Sequence, residues 1–242
     1  MTFSGRFRLA LAAAFLAALA LSSGPALAAG REGAAAEAAR PRLAALLAQK
    51  KLKEGDPVFL RIFKEESVLE MWMKPVSGEK YILFKTWPIC AWSGTLGPKT
   101  RQGDRQAPEG FYAVGARHLN PYSNYHLSFN LGYPNAYEKS QGYTGSLLMV
   151  HGDCRSDGCY AMTDEGIEEI YTLIKGALSG GQSFFRVHAF PFRLDRRNLA
   201  RHQASPWHDY WQMMAPVYTD FETNRIPPEV LMDNGRYRLA GN

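Results

Sequence analysis

The sequence has no dense block of basic residues, and this absence argues against nucleic-acid binding. Its 28 Lys and Arg residues are scattered among 23 acidic residues over 242 positions, which gives a net charge of +5. The one basic cluster is RLDRRNLAR, at residues 193–201. A nucleic-acid-binding protein is expected to concentrate basic side chains on one face. The mild positive charge is compatible with a weak attraction to an acidic polymer such as a cell wall.

Long apolar runs are also missing, apart from one near the amino terminus. Leu9–Leu21 is rich in Ala, Leu and Phe, but it is shorter than the roughly 20 residues that a membrane span needs. Arg6 and Arg8 precede it, and the small residues Ala26 and Ala28 follow it. Residues 1–28 therefore predict a secretory signal peptide, with an uncleaved membrane anchor as the alternative. We expect an exported protein of net charge +3, since the leader removes two arginines, and no membrane span after cleavage.

Many short strands and few solid helices predict a mostly β fold of the α+β class. The sequence contains no internal repeat. Residues 29–55 are interpreted as a linker and a short helix, and residues 56–195 as one domain that carries the strands. Residues 196–242, rich in Trp, Tyr and Pro, are expected to form a C-terminal extension that packs on this domain.

Two segments have clear periodicities. Residues 57–74, PVFLRIFKEESVLEMWMK, alternate in polarity and predict a hairpin with its turn near Glu65–Ser67. The segment TDEGIEEIYTLIKGALSGG, which starts at Thr163, predicts an amphipathic helix that ends at Gly180. Thr163 or Asp164 can cap its amino terminus.

One histidine and two cysteines lie close together in SLLMVHGDCRSDGCYAMTD, at residues 146–164. As a metal site, this set is one ligand short of the four that structural zinc takes, so we expect no metal. As a disulfide, Cys154 can pair with Cys159 or with Cys90, and the sequence leaves both pairings open. Because the chain has three cysteines, one thiol stays unpaired, which in an oxidising compartment marks it as reactive.

The third interpretation is a cysteine nucleophile with its base. Cys159 follows Gly158, which allows a tight turn and leaves room for a substrate carbonyl. His151 ends a strand eight residues earlier, so the intervening loop can bring the imidazole beside the sulfur. We also expect backbone N–H groups near a helix start to lower the pKa of the thiol and to hold an oxyanion.

The same stretch resembles the active-site motif of the YkuD-type L,D-transpeptidases, in their YafK-like branch. That motif has His-Gly at a strand end followed by Ser-x-Gly-Cys, and here His151-Gly152 and Ser156-Asp157-Gly158-Cys159 match it. GDRQAPEGFYAV, at residues 103–114, is similar to the Pro-x-Gly-x-Phe element of the family. The likeness extends from about residue 40 to about residue 235.

The resemblance implies a periplasmic enzyme with a YkuD-like β-sandwich, one helix after the cysteine, and helical N- and C-terminal extensions. Cys159 would attack the carbonyl of a diaminopimelate residue in a peptidoglycan stem peptide and form a thioester. His151 would be the general base and acid. The N–H groups of Gly158 and Cys159 would stabilise the oxyanion. The resemblance implies no cofactor. The partners it implies are stem peptides, and a peptidoglycan-linked lipoprotein is a further one.

The chain also departs from the family pattern, which leaves the reaction outcome open. Asp157 stands where the broader family often has His, and CYAMTD follows where Arg or Asn is frequent. Transpeptidation by an incoming amine and hydrolysis by water are therefore both expected outcomes. A non-catalytic cell-wall-binding module is the rival from another class, and a redox protein that uses Cys154 and Cys159 is a third hypothesis.

Six residues are candidates for substrate contact. Ser156 and Gly152 belong to the motif itself. Tyr/Asn-rich sequence around His126, Asn130 and Tyr133 is expected to line the cleft, although a lone histidine is often structural. Arg155, like Lys99, would meet a substrate carboxylate, with a solvated loop charge as the alternative interpretation.

Overall fold

A computed structural model describes Met1 and residues 24–241, with the backbone alone for residues 24–29. The predicted leader lies largely outside these residues and stays a prediction. Across the described part of the chain, no helix combines the length and the apolar character that crossing a membrane would require.

The described chain contains runs of short strands separated by a few helices. In order they are α1 (Gly24–Gln49), β1 (Val58–Phe63), β2 (Val68–Met73), β3 (Ile82–Pro88), β4 (Ala91–Trp92), β5 (Gly110–Val114), a 3-10 turn (Ala116–His118), β6 (Leu119–Asn120), β7 (Ser128–Asn130), α2 (Ala136–Ser140), β8 (Met149–His151), β9 (Tyr160–Ala161), α3 (Asp164–Ser179), β10 (Phe185–Phe190), α4 (Arg196–Arg201), α5 (His208–Asn224), β11 (Val230–Asp233) and β12 (Arg236–Leu239).

These strands form two five-stranded sheets and a separate hairpin of β11 and β12 within the described residues. The first sheet has the order β3-β2-β1-β10-β5, and the second has the order β4-β9-β8-β7-β6. The predicted α+β class is confirmed. The predicted first hairpin is also confirmed, with Val58 opposite Met73 and Phe63 opposite Val68.

The central strand β1 is buried on both faces, which agrees with its sequence VFLRIF, where five of the six residues are apolar and Arg61 is the exception. Successive side chains of a strand point to opposite faces. Leu60 and Ile62 join an apolar cluster that includes residues of both sheets and of α3. Phe59 and Phe63 face the other way, toward clusters that contain α5 residues such as Phe221 and Trp211. The C-terminal helix therefore closes the second face of the first sheet.

The N-terminal helix is longer than predicted. Instead of a linker and a short helix between residues 29 and 55, one helix covers Gly24–Gln49. Its Ala-rich sequence has high helix propensity. Ala35, Ala39 and Leu43, spaced by four residues, are buried, and the helix contacts α3. The prediction missed this stripe because alanine carries a weak apolar signal.

The helix after Cys159 follows its prediction. It covers Asp164–Ser179, the Thr163 hydroxyl accepts a hydrogen bond from Gly166 N, and Gly180 is the C-cap. The C-terminal segment holds more structure than one helix around residue 208, because α4, α5 and the hairpin all form there. The domain limits at residues 28, 55 and 195 stay predictions.

Candidate active site

The parallel pair β8 and β9 sets the relative positions of the predicted nucleophile and base. Val150 lies opposite Tyr160, and His151 lies opposite Ala161. Continuing this register by one residue puts Cys159 opposite Met149, whose N–H donates to Cys159 Sγ at 3.4 Å. Because every second residue faces the same side of a sheet, His151 and Cys159 project from one face.

The structure decides between the two disulfide pairings. Cys90 is bonded to Cys154, and Cys159 is the unpaired cysteine of the three. The alternative Cys154–Cys159 pairing is wrong, and with it the redox pair that the sequence left open. The bond also removes Cys154 from any zinc ligand set. Among the described residues, no group of three or more His, Cys, Asp or Glu side chains is arranged to hold a metal ion.

The His151 imidazole is buried and held in one tautomer. Its Nδ1 lies 2.7 Å from the carbonyl oxygen of Gly152, and only a protonated Nδ1 can donate to that oxygen. Nε2 is then the acceptor nitrogen of the neutral ring. The ring of Tyr125 packs against the imidazole with centroids 4.8 Å apart. Burial lowers the pKa of His151, which favours the neutral ring at neutral pH.

The thiol of Cys159 differs from the expectation. Burial is the largest influence and raises its pKa, the Met149 N–H opposes this, Asp157 raises it further and Lys99 lowers it. The expected helix start does not act on the sulfur, because β9 separates Cys159 from α3, which begins at Asp164. The raised pKa of the thiol and the lowered pKa of the imidazole both favour the neutral forms near neutral pH.

The turn before Cys159 is built on two serine hydroxyls. Gly158 has a φ of +99°, a conformation that glycine adopts without strain. The Ser156 hydroxyl accepts a hydrogen bond from Cys159 N at 3.1 Å and donates to Cys159 O at 2.7 Å. The Ser93 hydroxyl, which follows β4, accepts from Gly158 N at 2.5 Å. The two N–H groups predicted to bind the oxyanion thus already have acceptors.

Sequence analysis missed Ser93, and no local signal could have found it. It lies 65 residues from Gly158 along the chain. Its backbone carbonyl accepts from Ala107 N at 2.9 Å, which joins it to the loop before β5. A single serine between a short strand and a glycine has no pattern of its own.

Cys159 opens onto a cleft of about 310 Å³. Its walls are formed by Lys99, Gln102, Gly103, Arg105, Ser146, Leu147, Leu148, Asp157 and Cys159. Lys99 is buried and paired with Asp104, so its interpretation as a solvated loop charge is wrong. Arg105 and Asp157 form an exposed pair at 3.4 Å. A larger groove along α5, about 680 Å³, is lined by neither cysteine nor histidine.

The other predicted substrate residues do not line this cleft. Asn130 accepts a hydrogen bond from Gly132 N, and the Tyr133 hydroxyl donates to the Lys99 carbonyl at 3.0 Å, behind the cleft-lining lysine. Arg155 is exposed and lies 3.9 Å from Asp153. The contacts shown for these three residues join each of them to its own loop or to a neighbouring one.

Gly152 and His126 are also engaged elsewhere. A Cβ on Gly152 would approach Asp164 Oδ1 to 2.5 Å and the Cβ of His126 to 3.1 Å, so the glycine serves close packing. His126 Nε2 lies 3.0 Å from Glu168 Oε1 on α3. A direct role for these two residues in substrate contact has no support from their positions.

Comparisons with known proteins give consistent likenesses. A family model described as the YkuD L,D-transpeptidase catalytic domain matches residues 60–219, a range that contains His151 and Cys159. The chain is 49% identical over 186 residues, 77% of its length and 75% of the relative, to an Escherichia coli K12 protein that carries the provisional name L,D-transpeptidase YafK.

Two solved structures show a weaker likeness. The helical cell shape determining protein Pgp2 from Campylobacter jejuni has a TM-score of 0.44 at 17% identity, with 79% of this chain and 80% of that chain covered. Bd1075 from Bdellovibrio bacteriovorus has a TM-score of 0.41 at 16% identity, with coverage of 75% and 80%.

Proposed function

Because the chain belongs to the family of YkuD L,D-transpeptidase catalytic domains, we propose that it is a periplasmic cysteine acyl-transfer enzyme. Its substrates are diaminopimelate-containing stem peptides of peptidoglycan. One observation carries the proposal. The unpaired thiol of Cys159 lines a cleft on the same sheet face as His151, whose tautomer presents Nε2 as a proton acceptor.

The first half-reaction uses these two groups in their neutral forms. Nε2 of His151 takes the thiol proton as the sulfur attacks the diaminopimelate carbonyl. The carbon–nitrogen bond breaks, and the imidazolium returns the proton to the leaving amine. The product is a Cys159 thioester. The raised thiol pKa and the lowered imidazole pKa favour this general-base route over a thiolate that exists before substrate binds.

In the tetrahedral intermediate the negative charge lies on the former carbonyl oxygen, which is bonded to the carbon that Sγ has attacked. A donor that already reaches the sulfur therefore lies close to this oxygen. The N–H of Met149 is such a donor. The N–H of Gly158 becomes a second donor when the substrate oxygen displaces the Ser93 hydroxyl. These two donors stabilise the negative charge that develops in the transition state more than they stabilise the resting thiol.

The second half-reaction decides the product. An incoming amine converts the thioester into a new amide and regenerates the thiol, which is transpeptidation. Water gives a free diaminopimelate carboxyl instead, and a lipoprotein linked to peptidoglycan is then a substrate to be released. We propose transpeptidation as the activity, and hydrolysis is the alternative outcome that the same experiment distinguishes.

The test is incubation of the purified protein with peptidoglycan sacculi, followed by mass spectrometry of the muropeptides. New 3–3 cross-links are expected from transpeptidation, and freed diaminopimelate ends would indicate hydrolysis. Cys159→Ala should abolish either product, and His151→Ala should slow it by about 10²-fold or more. Unchanged muropeptides with folded protein, or full activity in Cys159→Ala, would contradict the proposal.

A further inference from the structure

A segment between β6 and β7, residues 121–126, lies against the proposed base. Its Tyr125 ring packs on the His151 imidazole, with centroids 4.8 Å apart and planes inclined by 35°. The Tyr125 carbonyl accepts a hydrogen bond from Gly152 N at 3.0 Å. The segment therefore contacts the base through a side chain and contacts the next residue through the backbone.

This segment is fastened from α1. The Nη1 of Arg31 donates to the carbonyl oxygens of Pro121, Ser123 and His126 at 3.2, 2.9 and 3.2 Å. The segment forms turns and bends rather than a helix or strand, so few backbone hydrogen bonds of its own hold its shape. The hydrogen bonds from one guanidinium nitrogen to three carbonyl oxygens restrain the shape of this segment.

A second connection runs through α3. His126 Nε2 lies 3.0 Å from one oxygen of Glu168, and Arg42 of α1 donates to the other at 2.7 Å. His126 also packs so closely on Gly152 that a Cβ there would lie 3.1 Å from its own. The carbonyl of Gly152 in turn receives the Nδ1–H of His151. A shift of the segment is thus transmitted to the group that orients the imidazole.

We propose that Tyr125 is a positioning residue for His151 and that Arg31 of α1 keeps it in place. The helix α1, which lies outside the residues 60–219 matched by the family model, then helps to position the proton-accepting imidazole. This inference rests on the proposed function, because it takes His151 as the base for Cys159.

The test measures alkylation of Cys159 by iodoacetamide across pH, without reductant, where it is the unpaired thiol of the three cysteines. We expect Tyr125→Ala and Arg31→Gln each to slow alkylation near neutral pH by about tenfold or more and to shift its pH profile. Tyr125→Phe, which keeps the ring, should behave as wild type. The double variant should be no slower than Tyr125→Ala, because both changes act on one contact.

Arg40→Gln is the matched control, since Arg40 lies on the same helix but pairs with Glu54. Tyr125 is nearly half exposed, so its replacement should leave the fold intact, as circular dichroism would verify. If Arg31→Gln does not fold, Arg31→Lys takes its place. Alkylation of Cys159 should also be slower in this variant, because lysine lacks the guanidinium group that reaches the three carbonyls.

Two outcomes would overturn the inference in distinguishable ways. Wild-type alkylation in Tyr125→Ala and Arg31→Gln, together with slow alkylation in His151→Ala, contradicts the positioning role and leaves the proposed function intact. Wild-type alkylation in His151→Ala itself removes the base from the proposed function, and the positioning role falls with it.

Discussion

At the scale of single residues, serine hydroxyls hold the turn that carries Cys159. Ser156 binds both the N–H and the carbonyl of Cys159, and Ser93 binds the N–H of Gly158. The hydroxyls of these two serines lie 3.4 Å apart. The sulfur is therefore positioned by one side chain of its own turn and by one from a segment distant along the chain, rather than by a helix start.

We predict that Ser93→Ala lowers turnover on peptidoglycan by about tenfold while the protein stays folded. The substitution removes the hydroxyl that the substrate oxygen has to displace, but it also leaves the N–H of Gly158 without its resting partner. The turn then becomes less ordered, and we expect this loss to dominate because small displacements of a nucleophile are costly. Turnover from muropeptide release and thermal melts would measure this. Ser140→Ala, whose hydroxyl donates to Tyr137 O within α2, should be neutral, and equal effects of both substitutions would contradict the prediction.

His188 is buried among aromatic rings, which makes it sensitive to acid. Its ring contacts Phe59 and Phe111 at 4.8 and 4.7 Å, and its Nδ1 has no hydrogen-bond partner among the described residues. Burial first, then the charges of Arg186 and Arg61, lower its pKa well below the ordinary value. The folded protein therefore holds this imidazole neutral.

A lowered histidine pKa makes the free energy of unfolding fall as pH falls, because the unfolded chain binds a proton that the folded chain does not bind. The loss begins near the unfolded pKa of about 6.5 and amounts to at most about 2 kcal/mol at pH 5. We expect His188→Phe to remove this part of the pH dependence. Free energies of unfolding in urea at pH 7 and pH 5 would measure it, and an equal loss in both proteins would refute it.

At the scale of elements, the Cys90–Cys154 bond ties the junction of β3 and β4 to the turn after β8. Its ends are separated by 64 residues. Cys90 N donates to Ala161 O, and Cys154 N donates to Met162 O. The bond therefore covalently joins the segment before β4 to the segment after β8, and these are the two strands that flank β9.

Replacing Cys90 and Cys154 together with serine should lower the free energy of unfolding by roughly 2–4 kcal/mol, because a long loop in the unfolded chain is no longer closed. Denaturant titration of the oxidised protein and of the double variant would measure the difference. Reduced wild type is the control and should match the variant. An unchanged midpoint would show that the bond contributes nothing to stability.

At the scale of the whole molecule, a buried ion pair joins the end of β1, the loop between β4 and β5, and α5. Lys64 and Glu109 are fully buried, with Nζ and Oε1 2.9 Å apart. Lys64 also donates to the carbonyls of Thr95, Gly97 and Ala107. Glu109 accepts from the indole N–H of Trp211 on α5. Burial lowers the pKa of Lys64, and Glu109 opposes this.

Glu109→Gln should destabilise the fold by about 3–5 kcal/mol, because it leaves a buried ammonium without its counter-charge. The measurement is the free energy of unfolding in denaturant. Lys64→Met combined with Glu109→Gln should cost less than the two single changes added together, since both break one interaction. Additive losses would argue that the pair is not coupled.

Much of the fold and part of the site could be predicted because their signals are local. Alternation between Val58 and Met73 predicts a hairpin, since strand periodicity reflects which face is buried. The helix after Cys159 has its cap and its stop within its own sequence, at Thr163 and Gly180. Local spacing also identified His151 and Cys159 as the candidate base and nucleophile.

By itself, the sequence determined the α+β class, the first hairpin and the helix after Cys159, and it indicated the two residues of the proposed chemistry. Only the tertiary structure decided that Cys90 pairs with Cys154, that Ser93 meets Gly158 and that Arg31 reaches the segment beside His151. Those contacts join residues 64, 65 and 92 positions apart. Periodicity and capping depend on residues that are a few positions apart in the sequence. Partners as distant as these meet only after both sheets and α1 have packed.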